Sequence, residues 1–143
     1  MLSPASEVRD LLVAASLVQE ASGTDWFVSV SKLRDTPDKH VAIYDYGGAS
    51  PGVKWNIDNP SVQVRVRTGA NDYDGGYAKC LAIKNALLGF ESADVNGERW
   101  VSVSMTSDIN FLHRDSQDRP EWTLNFEILK LADLPGGAAR EEL

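Results

Sequence analysis

Within the stretch from Val62 to Gly89 the hydrophobic pattern changes its period, and that change restricts what the chain can fold into more than any other feature. Val62, Val64 and Val66 alternate with Gln63, Arg65 and Arg67, the period of two of a strand with one buried and one wet face. Tyr77, Cys80, Leu81, Lys84, Leu87 and Leu88 then fall at the spacing of one helical stripe. Gly89 stands where a left-handed cap would end that helix, and Asp72 and Asp74 stand where carboxylates cap its start. A strand and a helix so close together in sequence imply a sheet covered on one face by helices. The wet face of the strand carries two arginines and no catalytic apparatus, as a surface built to meet another surface would.

The remaining elements extend this plan. Ser3-Pro4 is an N-cap followed by a first-turn proline, and Val8, Leu11, Leu12, Ala15 and Val18 form a stripe up to a stop at Gly23. Residues 26–33 and 40–46 are expected as two strands of a hairpin, joined by the turn-rich 34–39. Residues 47–60 hold Gly47, Gly48, Pro51, Gly52 and Pro60 around Trp55 and are expected as a functional loop. Alternation through Val101, Val103 and Met105, and through Leu124, Phe126 and Ile128, gives two more strands at 99–107 and 122–131. The expected fold class is therefore α+β, in the order α-β-β-β-α-β-β, with two helices packed on one face of a mostly antiparallel sheet of about five strands. One domain is expected over 1–131, followed by a flexible tail over 132–143 whose Pro135-Gly136-Gly137 and Glu141-Glu142 offer little to bury.

Composition removes whole classes of function. A chain of 143 residues buries enough of its surface to fold without staples. Its single cysteine, Cys80, allows neither a disulfide framework nor a cysteine-based zinc cluster, and its place on a helical stripe makes it a small core hydrophobe. No apolar run reaches the length of a membrane span, so no membrane partner is expected. The formal net charge of −7 repels nucleic acid and acidic membrane surfaces alike.

Three chemical motifs fail on inspection. His113-Arg114-Asp115 copies the start of a kinase catalytic loop, but Pro120 occupies the position of the metal-binding asparagine and no glycine-rich nucleotide loop accompanies it. Asp72-Tyr73-Asp74-Gly75 suggests a calcium loop, yet in that frame Ala70 falls at the first ligand position and Leu81 at the closing glutamate. His40 and His113 show no ligand spacing with each other. No catalytic, cofactor-binding or metal-binding residue is therefore assigned, and no enzyme activity is expected.

Three patches carry a resemblance to a known family. They are Asp45-Tyr46-Gly47-Gly48, the strand-helix unit above, and the charged turn Arg114-Asp115-Ser116-Gln117-Asp118-Arg119-Pro120 leading into Glu121-Trp122-Thr123-Leu124-Asn125-Phe126. Over residues 41–131 the chain resembles the tail terminator or minor capsid proteins of long-tailed bacteriophages. The resemblance implies a structural protein of the virion neck, assembled in the host cytoplasm. It also implies a homo-oligomeric ring, usually a hexamer, between the tail tube protein and the head-tail connector or stopper protein, with DNA passing through the lumen without specific binding. A head-completion or neck adaptor protein, or a small-ligand-binding α+β domain, remains the alternative.

Residue chemistry then nominates an interface. Arg65 and Arg67 on the wet strand face, Arg114, Asp115 and Arg119 in the charged turn, and Glu127 on the last strand are expected to make intersubunit ion pairs, each contributing about 0 to 1 kcal/mol. Tyr44 and Tyr46 share a strand face opposite Val41 and Ile43, and with Trp55 they are of the types that anchor protein contacts. Whether these aromatics meet a partner or pack internally stays open at this level.

Overall fold

In a computed structural model, residues 2–21, 23–49, 57–95 and 98–131 are described. The elements run α1 (Pro4–Ala14), β1 (Phe27–Val30), β2 (His40–Ala49), β3 (Ile57–Arg67), α2 (Tyr73–Leu88), β4 (Ala93–Val95), β5 (Glu98–Met105), β6 (Asn110–Arg114) and β7 (Pro120–Leu131). All strands join one sheet in the order β1-β2-β3-β7-β5-β4, with β6 paired to β7.

The five-strand α+β layer expected from sequence is corrected to a mostly-sheet fold, which among the described residues has seven strands curled into a half-barrel and two helices. Two short strands account for the difference in number. β4 has three residues, and every residue of β6 is exposed, so neither shows a period of two. The curl follows from β7, whose twelve residues span about 40 Å at the usual rise per residue. Along one side β7 pairs with β3, and along the other it is shared end to end by β6 at Pro120–Thr123 and β5 at Phe126–Lys130. A strand with that many neighbours accumulates twist and wraps the sheet.

The expected hairpin at 26–46 is also corrected, because β1 and β2 pair in parallel, with Phe27 opposite His40 and Val30 opposite Ile43. Ser31, at φ 61, turns the chain out of the strand, and residues 31–39 travel back to the start of β1 before β2 begins. That return is stabilised by side chains of β3 and of the β6–β7 turn, which a local sequence pattern does not display. Much of the expected loop at 47–60 is strand instead: β2 runs on to Ala49, β3 begins at Ile57, and Gly48 pairs with Pro60 beyond an irregularity at Asp45. Trp55 and the expected tail at 132–143 lie outside the described residues.

Both helices begin as their caps require and differ in how they end. Ser3 accepts from the Ser6 N–H, and Asp72 accepts from the Gly75 N–H. α1 stops at Ala14, well before Gly23, because Ser16 takes the left-handed conformation at φ 60 while its N–H bonds Val13 O and the Leu17 N–H bonds Leu12 O. Those two bonds form a Schellman cap without glycine. Gly89 ends α2 at φ −80, so its expected left-handed cap is not formed.

The buried stripe of α2 is Gly76, Cys80, Ile83 and Leu87, rotated from the expected one, and Tyr77, Leu81 and Leu88 are exposed. Gly76 sets the rotation. A Cβ there would lie 2.7 Å from Trp122 Nε1 and 3.0 Å from Thr68 Cγ2, so only glycine lets the helix approach the sheet at this point. α1 packs on β1, β2 and β3, and α2 on β3, β5 and β7. Between them and the sheet lie Leu12, Ile43, Val64, Ile83, Leu124 and Phe126, each contributing about 1.5–3 kcal/mol by burial. Glu7 of α1 is fully buried against Lys130 of β7, Nζ to Oε1 3.5 Å.

Candidate assembly interface

Strand register sorts the face of the sheet away from the helices into cross-strand rows. His40, Arg67 and Glu121 form one row across β2, β3 and β7; Ala42, Arg65 and Thr123 form the next; Tyr44, Gln63 and Asn125 form a third. Ser61 and Glu127 continue the face on β3 and β7. The inward valines, Leu124 and Phe126 alternate with these residues, which is why they share one face.

The first row is closed over by the chain itself. Arg67 is 2% exposed, and its guanidinium donates to the main-chain carbonyls of Pro37 at 2.7 Å and of Asp35 and Asp38 at 3.2 Å. Arg119, 4% exposed, donates to Asp35 O at 2.6 Å, to the carboxylates of Asp35 and Asp38 at 3.1 Å, and through Nε to Asp115 at 2.8 Å. Two arginines thus hold residues 35–38 against the sheet. Burial works against the charge on Arg119, but its bonds to Asp38, Asp115 and Asp35 outweigh that and raise its pKa. Burial and the neighbouring Arg119 lower that of Arg67. Asp115 sits low despite burial, because the N–H and guanidinium of Arg119 and the N–H of Gln117 donate to it. Beneath the loop, His40 is fully buried 2.8 Å from the Ser29 hydroxyl, and burial, then Arg67, lowers its pKa to about 4.

The third row is left open. Tyr44, Tyr46, Gln63 and Arg65 line a cleft of about 400 Å³. Asn125 Oδ1 accepts from the Tyr46 hydroxyl at 3.1 Å and from Gln63 Nε2 at 3.0 Å, and Gln63 Oε1 accepts from Arg65 Nε at 3.2 Å. The Arg65 guanidinium lies 5.6 Å from the Tyr44 ring centroid, within cation–π range. These bonds hold aromatic and cationic groups in place on an accessible surface, which lowers the entropy cost of meeting a protein partner. They offer no nucleophile paired with a base.

Of the residues nominated from sequence, Tyr44, Tyr46 and Arg65 come together in this cleft, and Glu127 lies further along the same face. Arg67, Asp115 and Arg119 find their partners within the chain. Arg114 is exposed and donates to Ala70 O and Asp118 O. Gln63, Asn125 and the Asp35–Asp38 pair were missed. Gln63 stood on the nominated wet face of its strand, but a glutamine or asparagine carries no signal of its own, and Asp35 and Asp38 resembled ordinary turn residues. Cys80 is buried, and burial pushes its thiol up to about 12, so it is chemically inert near neutral pH.

A family model described as bacteriophage tail terminator protein matches residues 13–131. A solved chain from the virion of a native gene transfer agent particle superposes with a TM-score of 0.66 at 15% identity, covering 91% of this chain and 96% of that one. No curated protein sequence matches.

Proposed function

The chain belongs to the bacteriophage tail terminator family and is a structural protein of the virion tail and neck, and on that premise we propose that it closes as a ring on the finished tail tube. The mechanism is assembly rather than catalysis: a ring seated on the tube removes the surface on which the next tube subunit would add. The open cleft of Tyr44, Tyr46, Gln63 and Arg65 is the contact surface toward the tube protein or the connector. One observation supports this reading above others. The chain spends two buried arginines and a returning loop to cover one end of its outer sheet face, yet leaves the adjoining end open, with its side chains already bonded in place. Tyrosine and arginine held in this way are the residue types that carry most energy in protein interfaces.

A hexamer agrees with the family resemblance, and the acidic net charge of −7 per subunit suits a lumen through which DNA moves without adhering. Electron microscopy of the purified chain mixed with tail tubes tests the proposal. Rings at tube ends and tubes of fixed length are expected, and Arg65→Glu should weaken tube-end binding at least tenfold while the variant remains folded by circular dichroism. Uniform decoration along the tube, or tubes that keep growing past the bound protein, would refute it.

A further inference from the structure

The outer cleft holds an unequal stock of hydrogen-bond donors and acceptors. Asn125 Oδ1 accepts from the Tyr46 hydroxyl and from Gln63 Nε2, so its two lone pairs and the Tyr46 proton are used within the chain. Gln63 Oε1 takes Nε of Arg65. What stays unclaimed among the described residues is mainly donors: Nη1 and Nη2 of Arg65, the second N–H of Gln63 Nε2 and the amide nitrogen of Asn125. A surface of that kind is complementary to a group that only accepts.

Charge points the same way. Acidic residues outnumber lysine and arginine by 21 to 14 in this chain, yet among the described residues none forms an ion pair with Arg65. The carboxylates on its own sheet face are committed or distant. Glu121, one row away beside Arg67, faces His113 at 3.6 Å, and Glu127 lies opposite Ser61, two rows or roughly 13 Å along the strands. The bond from Nε and the Tyr44 ring, 5.6 Å from the guanidinium carbon, fix the plane of the Arg65 fork. They leave unbonded the edge of Nη1 and Nη2, through which arginine grips a carboxylate with two parallel bonds. A cleft of about 400 Å³ is larger than one side chain, and its tyrosine walls suit the methylene stem of an acidic residue and its neighbours.

We propose that this cleft binds a carboxylate side chain of the tail tube protein, held by the Arg65 fork with the Gln63 and Asn125 amides beside it. The inference rests on the ring-on-tube reading above and names the chemical group that the ring grips on the tube. A guanidinium fork and a carboxylate meet in one orientation, so the pair sets the register of ring on tube while Tyr44 and Tyr46 supply buried area.

Tail tubes treated with a carbodiimide and ethylenediamine, and shown intact by electron microscopy, provide the test, because exposed carboxylates become cationic amides. The wild type should bind treated tube ends at least tenfold more weakly than untreated ends, and Arg65→Glu should reverse that order. Arg65→Lys, which keeps the charge and loses the fork, should bind untreated ends at least threefold more weakly than the wild type. Rings that cap treated and untreated tubes equally would overturn the carboxylate and leave the ring reading standing. Equal weakening of the wild type and Arg65→Glu by the treatment would do the same, since the altered charge then acts elsewhere in the contact. Arg65→Glu that caps tubes normally but fails to join heads would assign the cleft to the connector and overturn the proposal. Rings that form without tubes in the wild type and not in Arg65→Glu would assign it to a second copy, with the same result. Wild-type protein that caps no untreated tube would overturn both this proposal and the ring reading.

Discussion

Replacing Arg119 with methionine should destabilise the isolated subunit by about 2–4 kcal/mol. The side chain is 5% exposed and ties two segments together: the β6–β7 turn through Asp115, and the returning loop through Asp35 and Asp38. Asp35 and Asp38 are 72% and 61% exposed, so water replaces most of what those pairs contribute, and each accounts for less than about 1 kcal/mol. Asp115 is only 15% exposed, and the lost charge-assisted bond to it contributes about 1.5–3 kcal/mol. The main-chain carbonyl of Asp35 loses its donor from Arg119 but keeps one from Arg67, which limits the further loss to below about 1 kcal/mol. Urea unfolding of the monomer, followed by far-ultraviolet circular dichroism, measures the sum. Arg65→Met serves as the internal comparison, because Arg65 is part-buried at the open cleft and should cost below about 1 kcal/mol. Equal stability of the wild type and Arg119→Met would refute the reasoning and return Arg119 to the intersubunit role suggested by its sequence context.

Other consequences follow from single positions. His40 has a folded pKa of about 4 against 6.5 when unfolded, so the unfolded chain takes up the proton first; its stabilising effect is complete above pH 6.5 and is lost as pH falls toward 4, by roughly 3 kcal/mol. A His40→Gln variant should show a flatter stability profile across that window, and identical slopes for the two proteins would contradict the assignment. Gly76→Val should lower stability by about 1–3 kcal/mol, read as a fall in melting temperature, because its side chain meets Trp122 and Thr68. Asp118 sits at φ 63 in the β6–β7 turn, so Asp118→Gly should raise stability by up to about 1 kcal/mol in urea unfolding.

Where the fold was legible in sequence, the determinants were local. The valines of β3 and the alternation of β7 are visible because a half-buried strand writes its two faces into consecutive residues, whereas in β5 a register shift between Trp100 and Ser102 buries Trp100 and leaves Val101, expected on the buried face, exposed. The N-caps Ser3 and Asp72 are visible because their partners lie three residues on. The parallel pairing of β1 with β2 was not legible, since it depends on Arg67 and Arg119 reaching residues about 30 and 80 positions away. The rotation of α2 was misread for a related reason. A glycine adds nothing to an apolar stripe, yet Gly76 makes the closest approach to Trp122. The outer-face arginines show the same limit: alternation placed Arg65 and Arg67 on one face correctly, but only the loop at 31–39 decides that one is covered and the other is not.

That division bears on how such a subunit works. A ring subunit seated between a tube and a connector needs two lateral contacts that differ from each other and at least one axial contact. An isolated sheet offers two edges and two faces, and here the helices occupy one face. Closing the outer face at His40, Arg67 and Glu121 with the chain's own loop leaves the Tyr44–Arg65 end as the accessible part of that face. Burying charge in Arg67 and Arg119 is a costly way to hold a loop, since apolar packing of similar volume is often as stable. Its benefit here is positional, because the guanidinium forks fix residues 35–38 by several directed bonds at once. A loop fixed in that way leaves the neighbouring cleft in one shape, and a ring can close only if every copy presents the same one.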